Sequence, residues 1–577
     1  MLRKTLAPKE RNQERSNFIL KIKEEHMTKK TILTVTCCIT AAFMFAKPAK
    51  RGPITVTQAD GTETVIYQHG DEHFHWTTNV QGEWIEQDKD GRWQTVPALT
   101  EEQIAVRRAE SRYTKSASKR RRKPAATSTA SPTNIAEHGL VILVNFTDKQ
   151  FTATHAEMDS MYNGQNYTRD YSYSDNYETY DIHAEGSARQ YFKDASFGQY
   201  VPKFDVVGPV TVSKNVSYYG KNDYYDNDQR PWEMVYEACQ LVDKEYEDID
   251  FSIYDNDGDG VMDYVYVVYA GYGEADGGGA NTIWPHSYWL TEAGYNLVID
   301  GVTIDTYACS NEISYTSGQH DGIGTFCHEF SHVLGLPDFY ATNNASHRTL
   351  GDWDIMDYGP YNNDGNNPPT YSGYERFFFG WATPRILTDP AVVIVHDLFS
   401  TNEVALVSET DAHNLVGNDP DPNQFYLIEN RQQDNIWDKH LAGHGMMLTK
   451  VNYSYSKWSS NTPNNTANSL GVDIIEARRN TSSSINRATD LYPAGATSTT
   501  AIPDHPIYDI QEDENGVISF NFLNSNTNEG WADIEENGDP VLAIYTITGQ
   551  AMPVGTTLPS GLYIVKRAHS TEKIIVK

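Results

Sequence analysis

An α+β fold is predicted by three observations. The continuous apolar run Gly139-Leu140-Val141-Ile142-Leu143-Val144-Asn145-Phe146 reads as a buried strand, and Tyr264-Val265-Tyr266-Val267-Val268-Tyr269 as another. Trp232 to Tyr246 carries helical periodicity, and so does the segment from Ile323 to Leu334. Strands and helices thus alternate ahead of one further helix, which implies a mixed β-sheet with that helix laid on it. The chain before this unit has hairpin cues, with Asp60-Gly61 and Asp90-Gly91 turns between alternating runs such as Thr64-Val65-Ile66-Tyr67. The chain after Trp381 is rich in β-like alternation, Asn, Thr and Ser, so a β-rich region is expected in front and β-sandwich-like domains behind.

The most informative element is Cys327-His328-Glu329-Phe330-Ser331-His332-Val333-Leu334-Gly335-Leu336-Pro337-Asp338. On a helix with His328 at 0°, His332 falls at about 40° and Glu329 at about 100°, whereas Ile323, Phe326, Cys327, Phe330, Val333 and Leu334 lie between about 140° and 260°. One face therefore beds in a core while two imidazoles one turn apart turn toward a cleft, where both can reach a Zn²⁺ at about 2.0–2.1 Å. Glu329 stands beside the ligands without being one. Gly335 supplies a left-handed C-cap and Pro337 stops the helix from resuming, so the backbone reverses and can bring Asp338 round to the metal. A zinc-coordinated water has a pKa of about 7, and Glu329 is placed to take its proton as it attacks a peptide carbonyl, then to return it to the leaving amine. A purely structural histidine pair is the plainer alternative.

Downstream, Gly351-Asp352-Trp353-Asp354-Ile355-Met356-Asp357-Tyr358-Gly359 resembles the Met-turn of metzincin-type metallopeptidases, in which a methionine, here Met356, floors the metal. Tyr358 is a candidate to aim its hydroxyl at the metal or at a developing oxyanion. The combination HExxHxxGxxD plus this turn is similar to the immune inhibitor A-like family of secreted bacterial zinc metallopeptidases. Gly186-Ser187-Ala188-Arg189-Gln190-Tyr191-Phe192, Ser196-Phe197-Gly198, Phe425-Tyr426-Leu427-Ile428-Glu429-Asn430-Arg431 and Gly443-His444-Gly445 extend the likeness. The resemblance implies a zincin-type catalytic domain with an active-site helix, zinc on His328, His332 and Asp338, Glu329 as general base and acid, and protein or peptide substrates. Spacing alone leaves open whether Asp338 ligates directly or stands behind a ligand.

Asp255-Asn256-Asp257-Gly258-Asp259-Gly260-Val261-Met262-Asp263 has DxDxDG calcium-loop spacing with a further aspartate at the ninth position, though the twelfth is Tyr266 rather than Glu. Three aspartates at alternate positions repel unless a cation lies among them. Asp255, Asp257, Asp259 and Asp263 are thus candidate ligands of a structural Ca²⁺, with an acidic solvated turn as the alternative.

A chain of 577 residues exceeds one domain. Its net charge of -32 disfavours nucleic acid as a partner, because a polyanion would be repelled, and a mean hydropathy of -0.57 fits a soluble protein. Residues 1–46 read as a doubtful leader plus a signal peptide: Met27 is the expected start, and the apolar stretch Thr31 to Ala46 behind Lys29 and Lys30 is too short to span comfortably and is expected to be cut near Ala46. A membrane anchor is the alternative there; the mature form is expected to have none. Residues 47–115 are expected to be a propeptide. It has no cysteine, so a carboxylate such as Asp71 or Glu72, or steric cover, would block the zinc, and His73 and His75 read as surface histidines. Residues 116–135, basic and then Ser/Thr/Pro-rich, read as a linker with a processing site. The catalytic domain is placed at 136–385 and a β-rich accessory domain at 386–525. Residues 526–577, with Tyr545-Thr546-Ile547-Thr548-Gly549-Gln550 and Leu558-Pro559-Ser560-Gly561-Leu562-Tyr563, resemble a C-terminal type IX secretion sorting domain, a small β-sandwich. Signal and sorting segments make the secretion machinery an expected partner and the outer surface or medium the expected destination, reached through the periplasm. Cys239, Cys309 and Cys327 form no disulfide framework, though a Cys309–Cys327 bridge is conceivable. Two other functions fit less well: a surface adhesin with a degenerate zincin unit, in which an intact Glu329 has no purpose, and a zinc amidase of cell-wall peptides.

Overall fold

The apolar run at Gly139 becomes the strand His138–Asn145 inside a five-stranded sheet of order His286–Trp289, Thr306–Ile313, Val265–Tyr272, His138–Asn145, Lys203–Thr211. Four strands are parallel and the edge strand His286–Trp289 is antiparallel. The computed structural model describes residues 47–58, 60–88, 90–111, 137–174, 178–224, 226–343, 345–478, 486–523, 541–546, 549–552, 561–567 and 571–576. The expected signal peptide and the basic linker with its processing site lie outside the described residues.

Strand side chains alternate, so each strand feeds two cores. Val141, Leu143, Tyr266 and Val268 join a cluster on one face with Phe326, Cys327, Phe330, Val333 and Leu334 of the helix Gly324–Leu334. Leu140, Ile142, Val144, Val265, Val267 and Tyr269 face the other way, against Met234, Val235, Ala238, Cys239 and Val242 of the helix Pro231–Glu245. A sheet covered on both faces explains why its strands read as unbroken apolar runs. The same geometry removes the Cys309–Cys327 bridge: Cys309 belongs to one core and Cys327 to the other, with the sheet between, and all three described cysteines are free.

Residues 54–95 form an antiparallel meander of five strands, its turns at Gly61 (φ 82°) and Gly91 (φ 77°) as the Asp-Gly pairs predict, followed by the helix Glu101–Glu110. After 385, the five-stranded sheet Arg385–Ile386, Ala405–Ser408, Gln424–Arg431, Gly445–Asn452, Val472–Ile474 stacks on the three-stranded sheet Ala391–Val395, Ile518–Phe522, Ile507–Glu512. Between them lie Val407, Ile428, Leu448, Val393, Phe520 and Phe522. The opposite face of the larger sheet sends Phe425, Leu427, Met447 and Val451 into the core beneath the helix Gly324–Leu334. Among the described residues near the C-terminus there is one four-stranded antiparallel sheet rather than a sandwich, in the order Ala551–Met552, Val541–Thr546, Gly561–Arg567, Thr571–Val576. No helix among the described residues is long and apolar enough to cross a membrane.

The helix Gly324–Leu334 ends as its sequence predicts. Gly335 adopts φ 114°, its N–H donates to Ser331 and His332 carbonyls, and Leu336 N reaches back to Ser331 O at 3.1 Å. A side chain at that φ is strained, so Gly335→Ala should cost roughly 1–2 kcal/mol and lower the calorimetric melting temperature.

Candidate metal centre

His328 and His332 lie one turn apart on a wholly buried helix, and each ring is fixed by a carbonyl. His328 Nδ1 donates to Ile355 O at 2.7 Å and His332 Nδ1 to Leu336 O at 2.8 Å. A carbonyl only accepts, so Nδ1 carries the hydrogen on both rings and both Nε2 atoms present lone pairs. Those atoms are 3.2 Å apart, and Asp338 Oδ1 lies 3.2 Å from His328 Nε2 and 3.3 Å from His332 Nε2. Asp338 Oδ1 is buried without a hydrogen-bond partner. Three acceptors facing one another need a cation among them. Tetrahedral ligands at about 2.0–2.1 Å from a metal stand about 3.3–3.4 Å from each other, so the observed triangle fits such an ion.

Asp338 is held from a part of the chain that sequence reasoning did not connect with it. Asn461 accepts the Asp338 backbone N–H on Oδ1 at 2.6 Å and donates from Nδ2 to Asp338 Oδ2 at 2.5 Å, leaving Oδ1 of the aspartate for the triangle. Asn461 is buried and has φ 50°. The turn around Met356 positions a histidine: Ile355 supplies the carbonyl for His328, and Met356, fully buried, accepts the Phe339 N–H at 2.7 Å on its own carbonyl.

Glu329 lies beside the triangle and is likewise buried. Burial, then the charges of Asp338 and Glu72, push its pKa well above the carboxylate range. Its Oε2 has no hydrogen-bond partner, while Oε1 accepts the backbone N–H of Lys47 at 3.0 Å. Residues 47–51 thus form a strap across the centre. Trp284 Nε1 donates to Lys47 O (3.4 Å), Tyr361 OH to Pro48 O (2.6 Å) and Lys50 N to Ala275 O (3.0 Å). Arg51 stacks its guanidinium 3.2 Å from the centroid of Tyr358, so that ring is covered by the strap.

Behind the strap, Asp71 accepts both arms of Arg108 and the backbone N–H groups of His73 and Phe74. Glu72 is buried next to His73 (3.0 Å), and burial pushes its carboxyl up to about 7 within electrostatic reach of Asp338 and Glu329. His73 and His75 are not surface histidines. His73 is buried, and His75 lies 3.2 Å from Glu274 and stacks on Trp284 with centroids 4.4 Å apart. At the second candidate site, carboxylate oxygens of Asp255, Asp257 and Asp259 lie within 4.8 Å of one another. Asp263 does not join them; its Oδ2 accepts from Asn256 N (3.2 Å) and Nδ2 (2.7 Å).

Because Asn461 orients the Asp338 carboxylate within the candidate centre, Asn461→Ala should weaken metal retention by about 10–100-fold, read as faster loss of bound metal to a chelator. The part of the chain that builds this centre has known counterparts. Residues 126–382 match the family model described as immune inhibitor A peptidase M6, catalytic domain. The pre-pro-metalloprotease PrtV of Vibrio cholerae serotype O1 is 31% identical over 216 residues, which is 33% of this chain and 23% of that protein. Immune inhibitor A of Bacillus thuringiensis subsp. alesti is 26% identical over 269 residues, 42% of this chain and 39% of that protein. The chain spans less than half the length of these curated relatives. The His–His–Asp triangle accordingly lies within the stretch of the chain that is similar to the immune inhibitor A peptidase M6 catalytic domain.

Proposed function

We propose that this protein is a secreted zinc endopeptidase made as a latent precursor, with His328, His332 and Asp338 holding the zinc and Glu329 as general base and acid. The observation that carries this reading is the buried triangle of two imidazole nitrogens and one carboxylate oxygen with Glu329 on the same helix. Zinc, when bound, lowers the pKa of a coordinated water to about 7 and polarises the scissile carbonyl. The residues supply the rest. Ile355 O and Leu336 O fix the imidazole tautomers, Asn461 turns Asp338, and Glu329 moves one proton from the attacking water to the leaving amine nitrogen. Tyr358 remains a candidate for the oxyanion once Arg51 is removed from its face.

Latency in this reading belongs to residues 47–115, whose strap occupies Glu329 and whose Glu72 lies near the triangle. Export by the signal peptide and a type IX sorting domain, ending at the outer surface or in the medium, completes the proposal. A structural calcium on Asp255, Asp257 and Asp259 belongs to it as well, with Asp263 bracing the loop through Asn256.

Two experiments test the reading. The processed protein should carry about one zinc and degrade gelatin or denatured casein, whereas Glu329→Ala should keep the zinc and lose at least about 10⁴-fold of the rate; equal activity in both would overturn it. Calcium should raise the melting temperature by about 2–4 °C in the parent and not in Asp257→Asn.

A further inference from the structure

The strap bound over Glu329 also reveals what the cleft is built to receive. We infer that the chamber holding the Lys47 side chain is a specificity pocket for a lysine or arginine immediately after the bond to be cut; this rests on the peptidase reading above. The position follows from Glu329. That carboxyl must hand a proton to the amine nitrogen released by hydrolysis, and the nitrogen on its Oε1 here is the backbone nitrogen of Lys47. Lys47 therefore stands where the first residue of the leaving fragment stands, and residues 48–51 continue along Trp284 and Ala275 as the rest of that fragment would.

The chamber is made for a cation. Lys47 is only 2% exposed, yet its Nζ donates to Thr325 Oγ1 at 2.7 Å, lies 3.8 Å from Asp321 Oδ2 and 4.5 Å from the centroid of Tyr361. Asp276, 3% exposed and next to the Ala275 that binds the strap, is within electrostatic reach of the same cation: Oδ2 accepts Tyr315 N at 3.0 Å, while Oδ1 is buried with no hydrogen-bond partner. Burial pushes the Asp276 carboxyl up to about 6, and Lys47 is the first charge that opposes the rise. Thr325 is four residues before Glu329, so the pocket's hydroxyl acceptor and the base share one helix face. Once the strap leaves, two buried carboxylates lose their cation, which is costly unless a substrate replaces it. The ammonium-sized contacts to Thr325, Asp321 and the Tyr361 ring favour lysine over arginine.

The test is a cleavage-site profile. The zinc-loaded full chain is activated by limited proteolysis, freed of the activating protease and incubated with a diverse peptide library; identically treated Glu329→Ala serves as blank, and cuts are mapped by mass spectrometry. The expected result is strong enrichment of Lys, then Arg, on the carboxyl side of the cut bond. In Asp276→Asn/Asp321→Asn, the kcat/KM ratio for a Lys over a Leu peptide should fall by about tenfold or more. A library cut without such enrichment overturns the pocket and leaves the peptidase reading intact. A library left uncut overturns both. The parent profile decides the matter even where the double variant does not fold.

Discussion

Two imidazole lone pairs and one carboxylate oxygen are forced to within 3.3 Å of each other in a buried space, and much of the molecule is arranged to hold them there. Nothing in the three groups favours that approach without a cation, so the surroundings must enforce it. The enforcement is distributed. The helix gives the histidines their common face, its C-terminal turn and the Met356 turn give the carbonyls that lock their tautomers, and the β-rich region after 385 gives the amide that turns the aspartate. The core beneath the helix is shared with strands of both sheets, so the site is braced by packing as well as by hydrogen bonds.

The legible parts of the sequence were those whose physics is local. Helical spacing put His328 and His332 on one face, Gly335 marked the helix end, and apolar runs marked strands covered on both sides. The Asp-Gly turns were equally plain. What could not be read depends on contacts between distant residues. Asn461 lies 123 residues from Asp338 and Lys47 lies 282 from Glu329, and neither position has a local pattern that announces its partner. His75 looked like a solvent-facing residue on a strand because its burial comes from a surface contributed by Glu274 and Trp284, and His73 because its partner is the buried Glu72 beside it. Asp263 fitted the calcium spacing but is turned aside by Asn256, a choice that motif spacing does not encode.

The strap links the front of the chain to the centre by charge as much as by shape. Lys47, Lys50 and Arg51 face Asp321, Asp364 and the Tyr358 ring, so a strongly acidic protein keeps cations at its own cleft. Detaching them exposes carboxylates whose burial was tolerable only in company.

The left-handed backbone of Asn461 narrows what evolution can do at this centre. The position needs a short side chain that both donates and accepts, and a residue that tolerates positive φ. Aspartate meets the second demand but cannot donate when ionised and would set a like charge against Asp338; glycine meets it with no side chain at all; glutamine has the right amide on too long a stem. Asparagine alone satisfies both, so a residue outside the matched 126–382 span is as narrowly determined as the aspartate it holds within it.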